Sequence, residues 1–142
     1  MSKFSLQTTM ALRKFCSAEQ INTMMEGTLG EEGDFFRAKM VEMVEVFNTM
    51  PATRGQEGVN DPIAYLHYFL GSADWYITER DLEVVQHQAF GWGRMFAGCG
   101  ECGYISIVEL IQEGVELDLH FEPKPLSQAT GGEFLAYAEG AV

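Results

Sequence analysis

The hydrophobic periodicity of this chain changes after Pro51, and that change constrains the fold more than any other feature of the sequence. Before Pro51, apolar residues recur at steps of three and four, which is the spacing of one helix face: Phe36, Met40, Met43, Val44 and Phe47. After Pro62, short aromatic runs alternate with turn residues, which is typical of strands. Helices that precede a group of strands indicate the α+β class. We therefore predict a small antiparallel sheet with N-terminal helices and one later capped helix packed on one face.

Helix-capping residues divide the N-terminal part, residues 1–51, into helices. Ser17 and Gln20 have the spacing of a capping box, and Gly27 suits a helix end in the left-handed conformation. Asp34 is the predicted N-cap of the next helix, which Pro51 ends. The polar residues 52–61 form the predicted connection to a β-rich part, residues 62–128, within a single domain that spans residues 1–142.

The β-rich part contains three clear strand signals. The runs 63–70 and 74–80 flank a glycine-containing turn, which predicts an antiparallel hairpin. Residues 88–96 are the predicted third strand, in which Gly91 and Gly93 indicate bulges or a close backbone approach. Residues 98–103 form a predicted loop, and residues 117–121 a further short strand.

The clearest local signal is a helix that begins at Ser106. Ser106 and Glu109 form a capping box, Ile105 and Leu110 occupy the positions of a hydrophobic staple, and Gly114 ends the helix. The tail, residues 129–142, is small and polar, and we predict either a loose helix or disorder there.

The charge of the chain is strongly acidic, with 9 Lys and Arg against 21 Asp and Glu and a net charge of −12. Such a surface repels nucleic acid and anionic membranes, and it either serves solubility or attracts a basic protein. No apolar run approaches membrane-spanning length, and the first residues lack the apolar core of a secretory signal. Three cysteines do not suggest a disulfide framework. We expect a cytoplasmic protein with reduced thiols.

Two groups of residues suggest metal or acid–base chemistry. Cys99 and Cys102 are spaced as half of a zinc knuckle, and the other soft ligands are scattered: Cys16, His67, His87 and His120. Without two further ligands, the alternative is a pair of thiols in a glycine loop, and we predict no cofactor. A second group of residues would serve as acid, base or metal ligands if the fold brought them together: Glu79, Asp81, Glu101, Glu109 and His120. The competing interpretation is a helix cap, strand-end charges and a structural histidine.

Aromatic residues of the β-rich part offer a further possibility, a stacking platform for bases: Trp75, Tyr76, Trp92 and Tyr104. Only Arg80, Arg94 and Lys124 supply positive charge in this part of the sequence. We therefore interpret the aromatic residues as ordinary packing within a sheet and predict no direct binding of nucleic acid.

Four segments, in this order, resemble a small domain of unknown function that phages, plasmids and bacteria carry. They are Trp75 to Glu79 followed by Asp81; Phe90-Gly91; Glu101, Gly103, Tyr104, Ser106, Glu109 and Leu110; and His120-Phe121 with Lys124 to Ser127. The resemblance covers roughly residues 62–128, and Cys99 and Cys102 lie outside its pattern. That family has no established activity, and its members often lie near antirestriction genes.

The resemblance and the charge together suggest a non-enzymatic acidic protein-binding module of a phage or mobile element. Its partner would be a protein of the host or of the element, basic if charge drives the contact. The module would act as a counter-defence factor that imitates the charge of DNA. The predicted binding residues are Trp75, Tyr76, Glu79, Asp81, Glu101, Tyr104, His120 and Lys124. The alternatives are a small metal-dependent enzyme or metal-binding domain that uses clustered carboxylates and His120, and a structural protein that associates through the helix at residues 34–49. The oligomeric state stays open.

Overall fold

The computed structural model, which describes residues 3–95 and 98–138, confirms the α+β class. The helices are α1 (Lys3–Leu12), α2 (Ala18–Gly27), α3 (Gly33–Thr49), α4 (Ile107–Gln112), α5 (Leu126–Ala129) and α6 (Glu133–Ala138). The strands are β1 (Ile63–Ala64), β2 (Leu66–Leu70), β3 (Ala73–Glu79), β4 (Ala89–Arg94), β5 (Glu101–Ile105), β6 (Glu116–Leu117) and β7 (Lys124–Pro125).

The main sheet has five antiparallel strands in the order β5-β4-β3-β2-β6. The predicted hairpin is present as β2 and β3, which pair from Leu66 with Ile77 to Leu70 with Ala73. Gly71 lies in its turn with φ +58, a conformation that glycine adopts without strain. The predicted strand at residues 117–121 is shorter, and β6 extends the sheet beside β2.

Two strand predictions need correction. The run 63–70 forms two strands instead of one. Ile63–Ala64 pairs with β7, whereas Leu66–Leu70 pairs with β3, and the Tyr65 N–H between them donates to the Ile77 carbonyl. The predicted loop 98–103 is a strand from Glu101 onward, and Gly103 pairs with Gly91 of the neighbouring strand β4. The glycine content of the segment suggests a loop, but pairing with β4 holds it in an extended conformation. Phe96, the predicted end of the third strand, lies outside the described residues.

The helix-capping predictions are confirmed in part. Ser17 accepts a hydrogen bond from the Gln20 N–H at 3.1 Å, and Ser106 accepts one from the Glu109 N–H at 3.2 Å. The Gln20 side chain does not reach back as in a capping box, because it donates to the Leu117 carbonyl and accepts from the Leu117 N–H. This pair of bonds fixes α2 to the edge strand β6.

Two other helix ends differ from the prediction. Asp34 is not an N-cap: α3 begins at Gly33, and the Asp34 carboxylate lies in its first turn and pairs with Arg37. Gly27 is the last residue of α2 and has no positive φ. Gly114, two residues after the end of α4, has the predicted left-handed conformation, with φ +79.

Both faces of the sheet are covered. One face, which we call the inner face, packs against α1 to α4 through a core that includes Leu66, Tyr68 and Ile77. The methionines of α3 belong to this core, and the Phe15 and Phe47 rings stack at 4.4 Å. The opposite, outer face carries Tyr76, Trp92 and Cys102, and it packs against Ala64, Leu126 and Phe134.

The cover on the outer face corrects the prediction for the tail. Phe134 in α6 is buried and packs against the sheet, so residues 129–138 are part of the fold rather than a loose end. Residues 139–142 lie outside the described part. Helices therefore pack on both sides of the sheet, not on one.

Gly91 and Gly103 provide a matched test of strand packing. A Cβ at Gly91 would lie 2.0 Å from the Tyr76 carbonyl oxygen, whereas a Cβ at Gly103 would meet nothing within 4 Å. We expect Gly91→Ala to lower the free energy of unfolding by about 1–3 kcal/mol, because backbone atoms must move. Gly103→Ala, on the adjacent strand, should change it by less than about 0.5 kcal/mol. Urea unfolding measures both, and equal effects would contradict the register described here.

Candidate functional site

The connection between β3 and β4, residues 81–88, is held from inside by two buried polar side chains. The two carboxylate oxygens of Asp81 accept hydrogen bonds from the N–H groups of Glu83 at 3.0 Å and Gln88 at 2.8 Å. The Gln86 side chain accepts from the Asp81 N–H at 2.7 Å and donates to the Glu83 carbonyl at 2.8 Å. We call this segment the β3–β4 loop. Its conformation is set by these bonds and not by packing of its aliphatic side chains.

The pKa of Asp81 reflects the same bonding. Burial on its own raises the pKa of a carboxyl group, because it penalises the charged form. Hydrogen bonds from the N–H groups of Glu83, Gln88 and His87, with the nearby His87 ring, outweigh burial and lower the pKa of Asp81 below its ordinary value. The ionised carboxylate is therefore the form that the folded loop stabilises.

Three aliphatic side chains of the β3–β4 loop face solvent. Leu82 is 74% exposed, Val84 70% and Val85 54%. A run of exposed aliphatic residues on a fixed loop is unusual in a folded protein and is typical of a contact surface. The Val108 N–H donates to the Gln86 carbonyl at 3.3 Å, so the loop lies beside the start of α4.

The exposed carboxylates are concentrated on the helices that cover the inner face. On α2, α3, α4 and their adjoining turns they are Glu19, Glu26, Glu31, Glu32, Asp34, Glu42, Glu45, Glu109, Glu113 and Glu116. Elsewhere among the described residues they are Glu57, Glu83, Glu101 and Glu122. We call the first set the acidic helical surface. Because α4 adjoins the β3–β4 loop, this surface continues up to the exposed aliphatic residues.

Other carboxylates are internal and form part of the fold. On the outer face, Asp118, His67 and Asp74 lie in a row, with the two His67 ring nitrogens 2.9 Å and 2.7 Å from the two carboxylates. Asp74 continues to Arg94 at 2.7 Å, and Arg94 to Glu133 of α6 at 3.3 Å. This row of contacts links the end of β6 to β2, β3, β4 and α6, and it holds the C-terminal segment on the sheet.

Tyr76 is the aromatic residue next to this row of contacts. The His67 ring stacks on the Tyr76 ring at 4.5 Å. Burial, followed by the Asp74 charge, raises the pKa of Tyr76 to about 12, and Arg94 opposes that shift. Tyr76 is therefore a neutral phenol at neutral pH and contributes packing to the outer face.

A cleft of about 380 Å³ opens on the outer face between the sheet and residues 53–59. Glu79 lies in its wall with 6% of its surface exposed, and its carboxylate accepts hydrogen bonds from the Arg54 N–H at 2.6 Å and the Thr78 hydroxyl at 3.1 Å. Phe90 and Tyr104 form another part of the wall, with ring centroids 5.5 Å apart and planes at 87°. Among the described residues other than glycine, Arg54 alone has a positive φ, of 76°.

The predicted binding residues fall in separate places. Trp75 packs toward the inner core, whereas its neighbour Tyr76 belongs to the outer face. Glu79 and Tyr104 share the cleft, while the Asp81 carboxylate is turned to the backbone of the β3–β4 loop.

The three remaining predicted residues lie at the surface. Glu101 is exposed at the start of the edge strand β5. His120 is exposed, with its ring 6.2 Å from that of Phe35, so it is not a partly buried histidine. The Lys124 ammonium lies 5.1 Å from the centre of the Phe121 ring. The fold therefore joins Glu79 with Tyr104 in the cleft, and it places Tyr76 and Lys124 beside the Phe121 ring.

Leu82, Val84, Val85 and Gln86 are not among the residues predicted as functional from the sequence. A signal is present, because a Leu-Glu-Val-Val run lies between the predicted strands 74–80 and 88–96, where apolar residues have no core to enter. The support that Asp81 and Gln86 give this run depends on side-chain geometry that residue spacing does not reveal.

The cysteines have three different environments. Cys99 is exposed, Cys102 is half-buried in β5, and Cys16 is buried. Burial raises the pKa of the Cys16 thiol to about 12, against a smaller effect of a hydrogen bond from the Ser17 backbone. Within residues 3–95 and 98–138, no group of three or more His, Cys, Asp or Glu side chains has an arrangement that would hold a metal ion.

These features define a layered α+β protein with an exposed aliphatic loop beside an acidic helical surface and a cleft on its other side. No protein-family model, curated protein or solved structure matches the chain. In the part of the chain that the structure describes, no helix is long and apolar enough to cross a membrane.

The role of Asp81 in shaping the loop leads to a pH-dependent prediction. Because folding lowers the pKa of Asp81, its stabilising effect is present above the ordinary pKa of aspartate and disappears as the pH falls through the lowered folded-state value. We expect Asp81→Asn to lower the free energy of unfolding at pH 7 by about 1–3 kcal/mol. The difference from the wild type should shrink steadily in acid.

Urea unfolding at a series of pH values between 7 and 2 measures this effect. Asp34→Asn is the matched control, because the Asp34 carboxylate is fully exposed and should show little effect at any pH. A constant difference between Asp81→Asn and the wild type across the series would contradict the assignment.

Proposed function

We propose that this chain is a non-enzymatic protein-binding module, which contacts a partner protein through the β3–β4 loop and the adjoining acidic helical surface. The observation that carries the proposal is the combination of exposed Leu82, Val84 and Val85 with the buried bonds of Asp81 and Gln86 beneath them. These bonds hold the aliphatic side chains in one arrangement before a partner binds.

The energetics of association favour such a loop as a contact. Complete burial of an exposed aliphatic side chain contributes about 1.5–3 kcal/mol. Ordering a flexible loop at an interface opposes binding, and a loop that is already fixed avoids most of that cost. Three aliphatic side chains on one short segment therefore provide a compact apolar centre for an interface.

The charge around this centre indicates what kind of partner fits. Glu83 lies within the loop, and α4, which begins beside the loop, carries Glu109 and is followed by Glu113. Exposed carboxylates at the rim of an interface accelerate association with a basic surface and discriminate against acidic ones. The partner we propose is a basic protein with an apolar recess at the centre of its contact surface.

A narrower form of the proposal concerns biological context. The resemblance to a domain of phages, plasmids and bacteria, together with the net charge of −12, supports a counter-defence role in a phage or mobile element. In that role the acidic helical surface imitates the charge of DNA, and the partner is a host protein that binds DNA. The exposed aliphatic side chains would give the module a contact with the host protein that DNA does not make, and this contact would increase its affinity.

The aliphatic contact is tested by the double variant Leu82→Ser, Val84→Ser. Both side chains are mostly exposed, so the fold should be retained while the apolar centre is lost. The affinity of a partner captured from a bacterial extract, measured afterwards with the purified pair, should fall at least tenfold. The control is Leu6→Ser, Leu70→Ser, which removes two exposed aliphatic side chains outside both the β3–β4 loop and the acidic helical surface and should bind as the wild type does.

Equal binding by the loop variant and the wild type would show that the β3–β4 loop is not the contact. Circular dichroism and thermal unfolding of all three proteins establish that any loss of binding is not a loss of folding.

The charge contribution is tested by two variants of equal net charge. Glu31→Gln, Glu32→Gln, Glu45→Gln neutralises part of the acidic helical surface, and Glu57→Gln, Glu101→Gln, Glu122→Gln neutralises exposed carboxylates elsewhere. If the helices imitate DNA, the wild type and the second variant should release host proteins from DNA-cellulose, and the first variant should release less. The release should also weaken as salt is raised. Identical behaviour of the two variants would contradict a localised acidic surface.

A further inference from the structure

We infer that the cleft on the outer face, between β3–β5 and residues 53–59, binds a guanidinium group, as in an arginine side chain or a related small molecule. The cleft lies on the opposite side of the sheet from α1–α4. This site is therefore separate from the acidic helical surface, and neither proposal depends on the other.

The central group of the site is the carboxylate of Glu79. One of its oxygens accepts from the Arg54 N–H, and the other lies 3.1 Å from the Thr78 hydroxyl, whose single proton is shared with the Phe90 carbonyl at 3.2 Å. Each carboxylate oxygen has two acceptor positions, so one position on each stays available to a ligand. Two parallel acceptors at this spacing match the paired N–H groups of a guanidinium fork, which a single ammonium group cannot match.

The aromatic residues in the wall of the cleft provide a ring on which a guanidinium group can stack. Phe90 and Tyr104 lie opposite each other on β4 and β5, with their rings in an edge-to-face arrangement. Tyr104 lines the cleft and is 61% exposed, so its ring is accessible to a ligand. A planar, weakly hydrated guanidinium stacks on an aromatic ring while its edge donates to a carboxylate.

The other residues that line the cleft favour a cationic ligand over an anionic one. Glu57 and Glu79 contribute two carboxylates against the single positive charge of Arg54. Leu126 and Phe134 line the cleft as well and provide apolar surface for the methylene stem that carries a guanidinium. The volume of about 380 Å³ fits a ligand of the size of an amino acid and lies at the small end of known ligand pockets.

The backbone conformation of Arg54 also supports a ligand site. A non-glycine residue with a φ of 76° is uncommon, and such conformations cluster at ligand sites. Here the conformation directs the Arg54 N–H to Glu79 at 2.6 Å. This bond fixes one oxygen of the carboxylate and leaves its orientation defined before a ligand arrives.

A matched pair of ligands tests the inference. The amides of N-acetyl-arginine and N-acetyl-citrulline have nearly the same shape and no terminal charges, but only the first has a guanidinium group. In a titration of the isotope-labelled full chain followed by NMR, the arginine derivative should shift the amide signals of Arg54, Glu79 and Tyr104. The citrulline derivative should bind at least tenfold more weakly, because it lacks the charge.

Variants of the cleft complete the test. Tyr104→Ala should weaken binding of the arginine derivative about fivefold, and Tyr104→Phe should retain it, since the ring and not the hydroxyl is the contact. Glu79→Gln should abolish measurable binding, with its fold checked by thermal unfolding. Leu82→Ser, outside the cleft, should bind as the wild type does. Equal binding of the two ligands, signal shifts away from the cleft, or no effect of Tyr104→Ala would overturn the inference.

Discussion

Burial of β3 and β4 on both faces is the constraint on which the rest of the structure depends. Ile77 faces the helices, its neighbour Tyr76 faces the C-terminal segment, and Gly91 allows β4 to approach the Tyr76 carbonyl closely. A sheet that is covered on both sides leaves little room for functional groups at its centre. The candidate sites accordingly lie where strands end or where the cover is incomplete, at the β3–β4 loop and at the cleft.

The acidic composition of the chain separates into two kinds of carboxylate with different effects. Internal carboxylates such as Asp74, Asp81 and Asp118 are bound by backbone N–H groups or by cationic side chains, so they stabilise particular connections. Exposed carboxylates on α2, α3 and α4 act through the long-range field, apart from Asp34 and Glu42, which pair with Arg37 and Lys39. Net charge alone does not distinguish the two kinds, although only the second is available to a partner.

Local sequence signals predicted much of the fold, and the failures share a cause. The caps at Ser17 and Ser106 and the β2–β3 hairpin were predicted because each depends on residues close together in the chain. The strand at residues 101–105 was missed because its glycines resemble a loop until β4 lies beside it. The site was predicted less well than the fold: Glu79 and Tyr104 do share a cleft, but the support of the β3–β4 loop by Gln86 depends on side-chain contacts that no spacing rule encodes.

The loop and the cleft are built by the same physical device at the exit of β3. Glu79 and Asp81 flank Arg80, both are buried, and each accepts a backbone N–H from a segment that lies against the strand end. Glu79 fixes residues 53–54 at the cleft, and Asp81 fixes the β3–β4 loop; the Thr53 hydroxyl, which donates to the Arg80 carbonyl at 3.1 Å, joins the two segments. Because a buried carboxylate without its partners is costly, the chain must keep both segments in place for the fold to persist. The positions of two carboxylates thus explain how two segments without regular secondary structure are both bonded to the end of the same strand.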